Sequence, residues 1–264
     1  MRRDVTMELD LESDGPAQLA LAVAVAAGHD AEERFTATQA GVELPVTLLE
    51  DLHGGRLHVL DVAAGPVHVG YTATVSGLAE PADIDAMQQL RYLRPSRYCE
   101  SDILRPVAVA EFAGLHGAEL LDAVASWVGV RIAYVTGSSL PTDGAVRTLL
   151  SRRGVCRDFA HLVVAFLRAL DVPARVVAVY APGLTPMDFH AVAEAAIDGV
   201  WHVVDATTLA PRQSLVRIAT GRDAADIAFL SARGDRPVRV SGMSVLAVSG
   251  ELPRDDTRLL AVLR

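Results

Sequence analysis

One long helix is the element that the sequence predicts most clearly. Apolar residues recur at helical spacing over residues 157–170, and Pro173 stops the pattern because proline cannot continue a helix. The apolar stripe comprises Leu162, Val163, Phe166, Leu167 and Leu170. Strand-like runs follow at 175–180, 191–197 and 200–204. The order predicts a compact core in which one helix packs on several strands.

The first part of the chain has a different pattern, with short apolar runs that often alternate in period two. Turn residues separate these runs, and the likeness to strands is strongest at 18–26, 57–62 and 67–75. This alternation favours a β-sandwich. With 264 residues, 51% of them hydrophobic, the chain is long enough to bury a core in each part.

The predicted fold class is therefore α+β, with an amino-terminal antiparallel β-sandwich domain and a mixed second domain. Because the periodicity fades between the two, we predict a β domain at 1–80, a connecting segment at 81–106 and a second domain at 107–264. Two further helices are predicted in the second domain, at 117–130 and 143–150.

Composition argues against several classes of function. A formal net charge of −9 at pH 7 is unsuited to nucleic acid, whose binding depends on clustered Lys and Arg. The two cysteines, Cys99 and Cys156, are too few for a disulfide framework or a cysteine-rich zinc site. No phosphate-binding or dinucleotide motif occurs, so we expect neither a cofactor nor a metal.

The longest apolar run, 19–28, is too short to span a membrane as a helix. Acidic residues precede it, whereas a secretory signal begins with basic residues. We therefore expect a cytoplasmic protein that does not bind membranes.

Cys156 opens the predicted long helix. A thiol at a helix start lies beside free backbone N–H groups and the positive end of the helix dipole, which together favour the nucleophilic thiolate. The same N–H groups can stabilise the oxyanion of an acyl intermediate. The alternative is a small apolar residue that packs at the helix start.

A hairpin turn at Asp198-Gly199 predicts the register of two strands. If Ile197 pairs with Val200, then Val192 faces position 205, and His190 lies diagonal to Asp205 on the same face. A carboxylate that binds one imidazole nitrogen leaves the other free to exchange a proton with a thiol. The alternative is an ordinary histidine at a strand end beside a turn-forming aspartate.

Three further residues are predicted to support this site. Asp158 lies in the first turn of the helix, where its charge suits the dipole and where it can hold nearby backbone or Arg153. Gly154 precedes the cysteine by two positions. Five other histidines and the second cysteine have no such context: we expect His161 and His202 to pack or face solvent, Cys99 to be structural, and His53, His58 and His68 to lie on the surface.

Residues 154–161, Gly-Val-Cys-Arg-Asp-Phe-Ala-His, closely resemble the nucleophile motif of bacterial transglutaminase-like proteins. Other segments resemble later or earlier parts of the same family, and nearly the whole chain is covered. These segments are 92–99, 172–175, 190–191, 201–205 and 221–226, together with the β-rich start.

The resemblance implies a papain-like α+β core in which Cys156 is the nucleophile, His190 the general base and then acid, and Asp205 the residue that orients His190. An acyl group would pass from a peptide or protein substrate to Cys156. The chain departs from the family at Val192, where an aromatic residue is common, and it has no glutamine shortly before Cys156. The second oxyanion donor is therefore unassigned.

The leading hypothesis is a cysteine peptidase or amidase, since water is always available as acyl acceptor and no calcium-binding acidic loop is apparent. Protein-glutamine transfer to an amine is the second enzymatic hypothesis. A third is a non-catalytic module that holds peptides in the cleft.

Overall fold

The structure is a computed structural model that describes residues 1–264. Its helices are α1 (Ala86–Arg91), α2 (Ser101–Phe112), α3 (Gly117–Arg131), α4 (Ala145–Ser151), α5 (Cys156–Ala169) and α6 (Ala224–Ile227). Its strands are β1 (Arg2–Ser13), β2 (Ala17–Leu21), β3 (Asp30–Gln39), β4 (Val42–Glu43), β5 (Thr47–Glu50), β6 (Arg56–Val62), β7 (Gly65–Ser76), β8 (Ala133–Tyr134), β9 (Arg153–Gly154), β10 (Ala174–Tyr180), β11 (His190–Ile197), β12 (Val200–Val204), β13 (Val216–Gly221), β14 (Leu230–Gly234) and β15 (Val238–Ser249).

Two antiparallel sheets form an amino-terminal β-sandwich. One has the strand order β15-β1-β7-β3-β4 and the other β14-β2-β6-β5. Alternate residues of β1, among them Met7 and Leu9, share one apolar cluster with Leu19 of β2 and Leu60 of β6. Period-two burial of this kind is what a sheet with one buried face requires. The predicted α+β fold is confirmed.

The sandwich is completed by two strands that follow the second unit in the chain. Strand β14 pairs with β2, and β15 pairs with β1 from Arg3↔Ser249 to Ser13↔Val238. The prediction had assigned 107–264 to the second domain as a whole, whereas 230–249 hydrogen-bonds to the first. The free edge of a strand needs a hydrogen-bonding partner, which can lie anywhere in the sequence. Local periodicity does not indicate where such a distant partner lies.

The second unit surrounds helix α5. A four-stranded sheet with the order β12-β11-β10-β13 packs on it, and α2, α3 and α4 cover its other sides. Every residue from Asp158 to Ala169 is buried, so α5 is enclosed all round and not along the single predicted stripe. The polar residues of α5 are therefore buried, and buried polar groups need hydrogen-bond partners.

The strand predicted at 18–26 is wrong beyond Leu21, where β2 ends. Residues 22–26 are nevertheless all buried, because they cross from the sandwich to the second unit. The N–H of Ala22 donates to the Phe229 carbonyl at 3.1 Å, and the N–H of Ala26 donates to the Arg217 carbonyl at 2.8 Å. Their apolar character reflects this crossing and not a pleated strand.

None of the helices has the length and apolar character needed to cross a membrane. The cytoplasmic location stays a prediction.

A buried charge cluster joins strands β10, β11 and β13. Glu194 accepts from Arg175 Nε at 2.7 Å and from Arg217 Nη2 at 2.7 Å. The Arg175 guanidinium also lies over the Trp201 ring, 3.9 Å from its centroid. Burial raises the pKa of Glu194, but the two arginines outweigh it and lower that pKa to about 2. Glu194 is thus ionised and compensates two buried cations.

We predict that Glu194→Gln lowers the free energy of unfolding by about 3–5 kcal/mol, because it leaves buried guanidinium groups without a counter-charge. Urea unfolding followed by circular dichroism measures the change. Asp14→Asn, which breaks the exposed pair of Asp14 with Arg239, is the control and has a much smaller effect. Equal effects of the two substitutions would contradict the structural role of the cluster.

Candidate active site

Cys156 is the first residue of α5, and it follows the short strand β9. β9 pairs in parallel with β8, so that Tyr134 lies opposite Gly154. Unlike Cys99, which is buried, the Cys156 side chain is partly exposed and lines a cleft of about 580 Å³. The thiol therefore combines a helix start with access from solvent.

The start of α5 is held by Asp158. Its Oδ2 accepts from the Val155 N–H at 2.8 Å, and its Oδ1 accepts from Ser139 Oγ at 2.9 Å. Asp158 is only 1% exposed, and the chain must pass directly against it. A Cβ at Gly154 would lie 2.6 Å from Asp158 Cβ, which real Cβ atoms do not tolerate, so glycine is required there.

Arg153 does not take part in this arrangement. Of the two partners predicted for Asp158, nearby backbone or Arg153, the structure shows the backbone: Arg153 is exposed, and the cation paired with Asp158 is Arg157. Arg157 Nη2 also donates to the Leu140 carbonyl at 2.8 Å. Arg157, and not Arg153, supplies the cation because Arg157 lies in the first turn of α5 together with Asp158.

His190 and Asp205 lie in contact. The β11–β12 ladder has the expected register, Ile197↔Val200, and His190 Nε2 donates to Asp205 Oδ2 at 3.1 Å. The other oxygen, Oδ1, accepts from the N–H and hydroxyl of Thr207 at 2.8 and 2.7 Å. Both carboxylate oxygens are therefore occupied, and Asp205 is fixed in orientation.

The electrostatics keep this pair charged. Burial lowers the pKa of His190, but Asp205 and then Cys156 outweigh it and raise that pKa to about 10. Burial raises the pKa of Asp205, but His190 and Thr207 hold it below its usual value. His190 Nδ1 is buried and has no hydrogen-bond partner in the protein. This nitrogen is free to exchange a proton at the cleft, where His190 and Cys156 are both lining residues.

Tyr134 is a residue of this site that the sequence reasoning missed. Its ring packs against Phe159 at 5.8 Å between centroids. Burial and the charge of Cys156 raise the pKa of Tyr134 to about 12, while the backbone N–H of Cys156 lowers it to a smaller extent. Only the two-residue pairing of β8 with β9 brings Tyr134 beside Cys156, and a bridge this short leaves no pattern in the sequence.

The other candidate residues lie elsewhere. His161 is buried, as expected for packing: its ring stacks on Tyr98 and its Nε2 accepts from the Ala224 N–H at 3.1 Å. Cys99 is buried, and its burial raises its pKa to about 12. The surface prediction is right for His68 and wrong for His58. The His58 ring is buried and stacks on the Phe35 ring, with their centroids 4.0 Å apart.

His53 is only half-buried and lies between the two units. Its Nε2 contacts the Tyr92 hydroxyl at 2.5 Å. Burial lowers the pKa of His53 to about 4, so the ring is neutral at pH 7.

Known proteins resemble this chain over the candidate site and beyond it. Residues 111–206 match the family model of the transglutaminase-like superfamily, a range that contains Cys156, His190 and Asp205. The crystal structure of a putative cysteine protease from Cytophaga hutchinsonii is 32% identical and superimposes with a TM-score of 0.88, covering 97% of this chain and 92% of that one.

Curated relatives match over shorter regions. An uncharacterized protein of Mycobacterium leprae is 29% identical over 116 residues, which are 41% of this chain and 42% of that protein. An uncharacterized protein of Mycobacterium tuberculosis is 40% identical over 62 residues, which are 24% of this chain and 20% of that protein. The match thus spans less than half the length of either relative.

The likeness to the Cytophaga hutchinsonii structure extends over nearly all of both chains, and the family model covers the candidate site. This chain belongs to the transglutaminase-like superfamily.

We predict that Gly154→Ala destabilises the protein by about 1–3 kcal/mol, because the added methyl group collides with Asp158 and forces the start of α5 to shift. The same shift slows alkylation of Cys156 by iodoacetamide, measured by mass spectrometry. Gly250→Ala is the matched control, since its added methyl group would meet nothing within 4 Å. An unchanged labelling rate in Gly154→Ala would contradict the close approach.

Proposed function

We propose that this chain is a cysteine peptidase or amidase that uses Cys156, His190 and Asp205 as a catalytic triad. The observation that carries the proposal is the His190–Asp205 hydrogen bond of 3.1 Å, which leaves Nδ1 of the ring without a protein partner in a cleft that also holds the thiol. The Cys156 thiol, the His190 imidazole and the Asp205 carboxylate are thereby suited to act as nucleophile, base and orienting carboxylate.

The first half of the reaction acylates the enzyme. The Cys156 thiolate attacks the carbonyl carbon of a peptide or amide bond and forms a tetrahedral oxyanion. As the carbon–nitrogen bond breaks, the His190 imidazolium gives its Nδ1 proton to the departing amine, and a thioester on Cys156 remains. Asp205 keeps its bond to Nε2 throughout, so it holds the ring orientation and stabilises the imidazolium.

The second half releases the acid. Neutral His190 takes a proton from water at Nδ1, and the resulting hydroxide equivalent attacks the thioester carbonyl. The carbon–sulfur bond breaks, a carboxylic acid leaves, and the thiolate–imidazolium pair is restored. If a primary amine replaces water in this step, the product is an amide and the enzyme acts as a transglutaminase.

Two donors are suited to the oxyanion. The Cys156 backbone N–H is at the helix start, where no intrahelical acceptor is available to it. The Tyr134 hydroxyl is the second, since β8 lies beside β9 and both the thiol and the N–H of Cys156 influence the tyrosine pKa. Tyr134 thus takes the part for which the sequence offers no glutamine.

Hydrolysis is tested with the full-length protein, a mixture of peptides and H₂¹⁸O, with methylamine added as a competing acceptor. We expect ¹⁸O in the new carboxyl groups, and no such products from Cys156→Ala. Mass spectrometry separates these acids from methylamides. If only methylamides form, the enzyme is a transferase, and if Cys156→Ala gives the same acids, the triad proposal is wrong.

The same protein tests the state of the thiol. We expect His190→Ala to slow iodoacetamide labelling of Cys156 near neutral pH by about tenfold or more, because the imidazolium favours the reactive thiolate. A non-catalytic peptide-binding module has no need of an activated thiol, so equal rates in both proteins would favour that alternative.

We predict that Tyr134→Phe lowers kcat about 10²–10³-fold with a much smaller change in KM, since an oxyanion donor acts mainly in the transition state. Iodoacetamide labelling of Cys156 forms no oxyanion and changes little. Tyr92→Phe is the control, because the Tyr92 hydroxyl contacts His53 and Tyr92 does not line the cleft of Cys156 and His190. Equal losses of kcat in the two variants would contradict the assignment of Tyr134.

A further inference from the structure

The cleft beside Cys156 is built by both units of the protein. Of its 19 lining residues, 14 are hydrophobic. The second unit contributes Phe189 next to His190, whereas Ala22, Leu230 and Met243 come from the sandwich and its crossing segment. The thiol and the imidazole therefore open into an apolar space whose far wall belongs to the β-sandwich.

Backbone pairing holds this far wall in place. Leu230 pairs with Leu21 across β14 and β2, and Met243 pairs with Leu9 across β15 and β1. The wall meets the catalytic side where the Phe229 ring stacks on Phe189, with their centroids 5.2 Å apart. The space is thus shaped by main-chain ladders on one side and by the strand of the catalytic histidine on the other.

Besides His190, the cleft has two charged side chains, Arg157 and Asp188, among its mostly apolar lining. Arg157 is compensated by Asp158 and donates to the Leu140 carbonyl. Asp188 accepts from the Phe189 N–H at 2.7 Å, and burial raises the pKa of Asp188. A glutamine amide or a charged group placed among the apolar residues would lose its hydrogen bonds to water without replacement, which costs free energy.

We propose that this cleft is a specificity pocket, in which the sandwich wall around Met243 takes an apolar side chain of the peptide close to the reacting carbonyl. The occupant is the substrate because the cleft is continuous with the Cys156 thiol, so a peptide that acylates the thiol must lie in it. This inference rests on the proposed function, and it gives the β-sandwich a direct part in the choice of substrate.

The test uses internally quenched peptides of one length that differ only within two residues of the central bond, with Leu or Phe compared against Gln, Glu or Lys. We expect the apolar peptides to have a kcat/KM about 10- to 100-fold higher, the discrimination typical of a pocket that accepts one apolar group. Affinities of the same peptides for Cys156→Ala, measured by fluorescence polarisation, are expected to follow the same order without any reaction.

Variants of the far wall connect the preference to the sandwich. Met243→Lys is expected to reduce the apolar preference about tenfold, since a charge then lines the pocket. Met243→Leu keeps the preference because the side chain stays apolar. Leu246→Lys is the matched control: Leu246 lies on the same strand with similar exposure, 47% against 42% for Met243, but does not line the cleft. Thermal unfolding midpoints verify that each variant is folded.

The outcomes separate this inference from the proposed function. Apolar preference in binding to Cys156→Ala, with no cleavage by the wild type, supports the pocket and contradicts the peptidase. If peptides with Gln or a charged residue are cleaved with the same kcat/KM as the apolar peptides, the specificity pocket is overturned and the proposed peptidase function is not. A Met243→Lys variant that loses activity equally on all peptides, or behaves like Leu246→Lys, also overturns it.

Discussion

The candidate site depends on how the carboxylate of Asp158 holds the start of α5. Its bond to the Val155 N–H, 2.8 Å long, satisfies a donor that the helix itself cannot, and its charge opposes the helix dipole from within the first turn. Gly154 is the condition for this bond, because any side chain there would occupy the space of Asp158. The position of Cys156 follows from both, since it lies between the glycine and the aspartate and has no freedom to move separately from them.

The enclosure of α5 explains why the polar residues of this helix from Asp158 onward are buried. A helix covered on every side has no solvent face, so each polar side chain on it must find an internal partner. Arg168 shows the consequence: it donates to the carbonyls of Ala174 at 2.8 Å and Arg222 at 2.7 Å, which lie in different segments of the chain. His161 Nε2 accepts a hydrogen bond from the Ala224 N–H. Polar groups of one helix thereby fix the loops that border the cleft.

Local signals predict the parts of this molecule whose partners are near in sequence. The Asp198-Gly199 turn determines a two-strand register, and from it the contact of His190 with Asp205 can be worked out on the sequence alone. Tyr134 and the strand β15 illustrate the opposite case. Their partners, Gly154 and β1, lie 20 or more residues away, and the pairing depends on which strand edges remain open after the rest has folded. For the cation beside Asp158 the sequence offers both Arg153 and Arg157 and does not say which of them turns toward the carboxylate, and the structure pairs it with Arg157.

After the second unit the chain returns to the sandwich, where β15 pairs with β1 and β14 pairs with β2, and this pairing connects the two units. β1 is hydrogen-bonded on one side to β7, which precedes the second unit in the chain, and on the other to β15, which follows that unit. The second unit is therefore an insertion between strands of the sandwich, and the cleft beside Cys156 is bounded in part by the strands that follow it. A wall built in this way keeps its distance from the thiol, since backbone ladders on one side and the packed crossing segment at 22–26 on the other resist displacement. Substitutions of sandwich residues that face the cleft can therefore change which substrate side chain the cleft accepts without moving Cys156, His190 or Asp205.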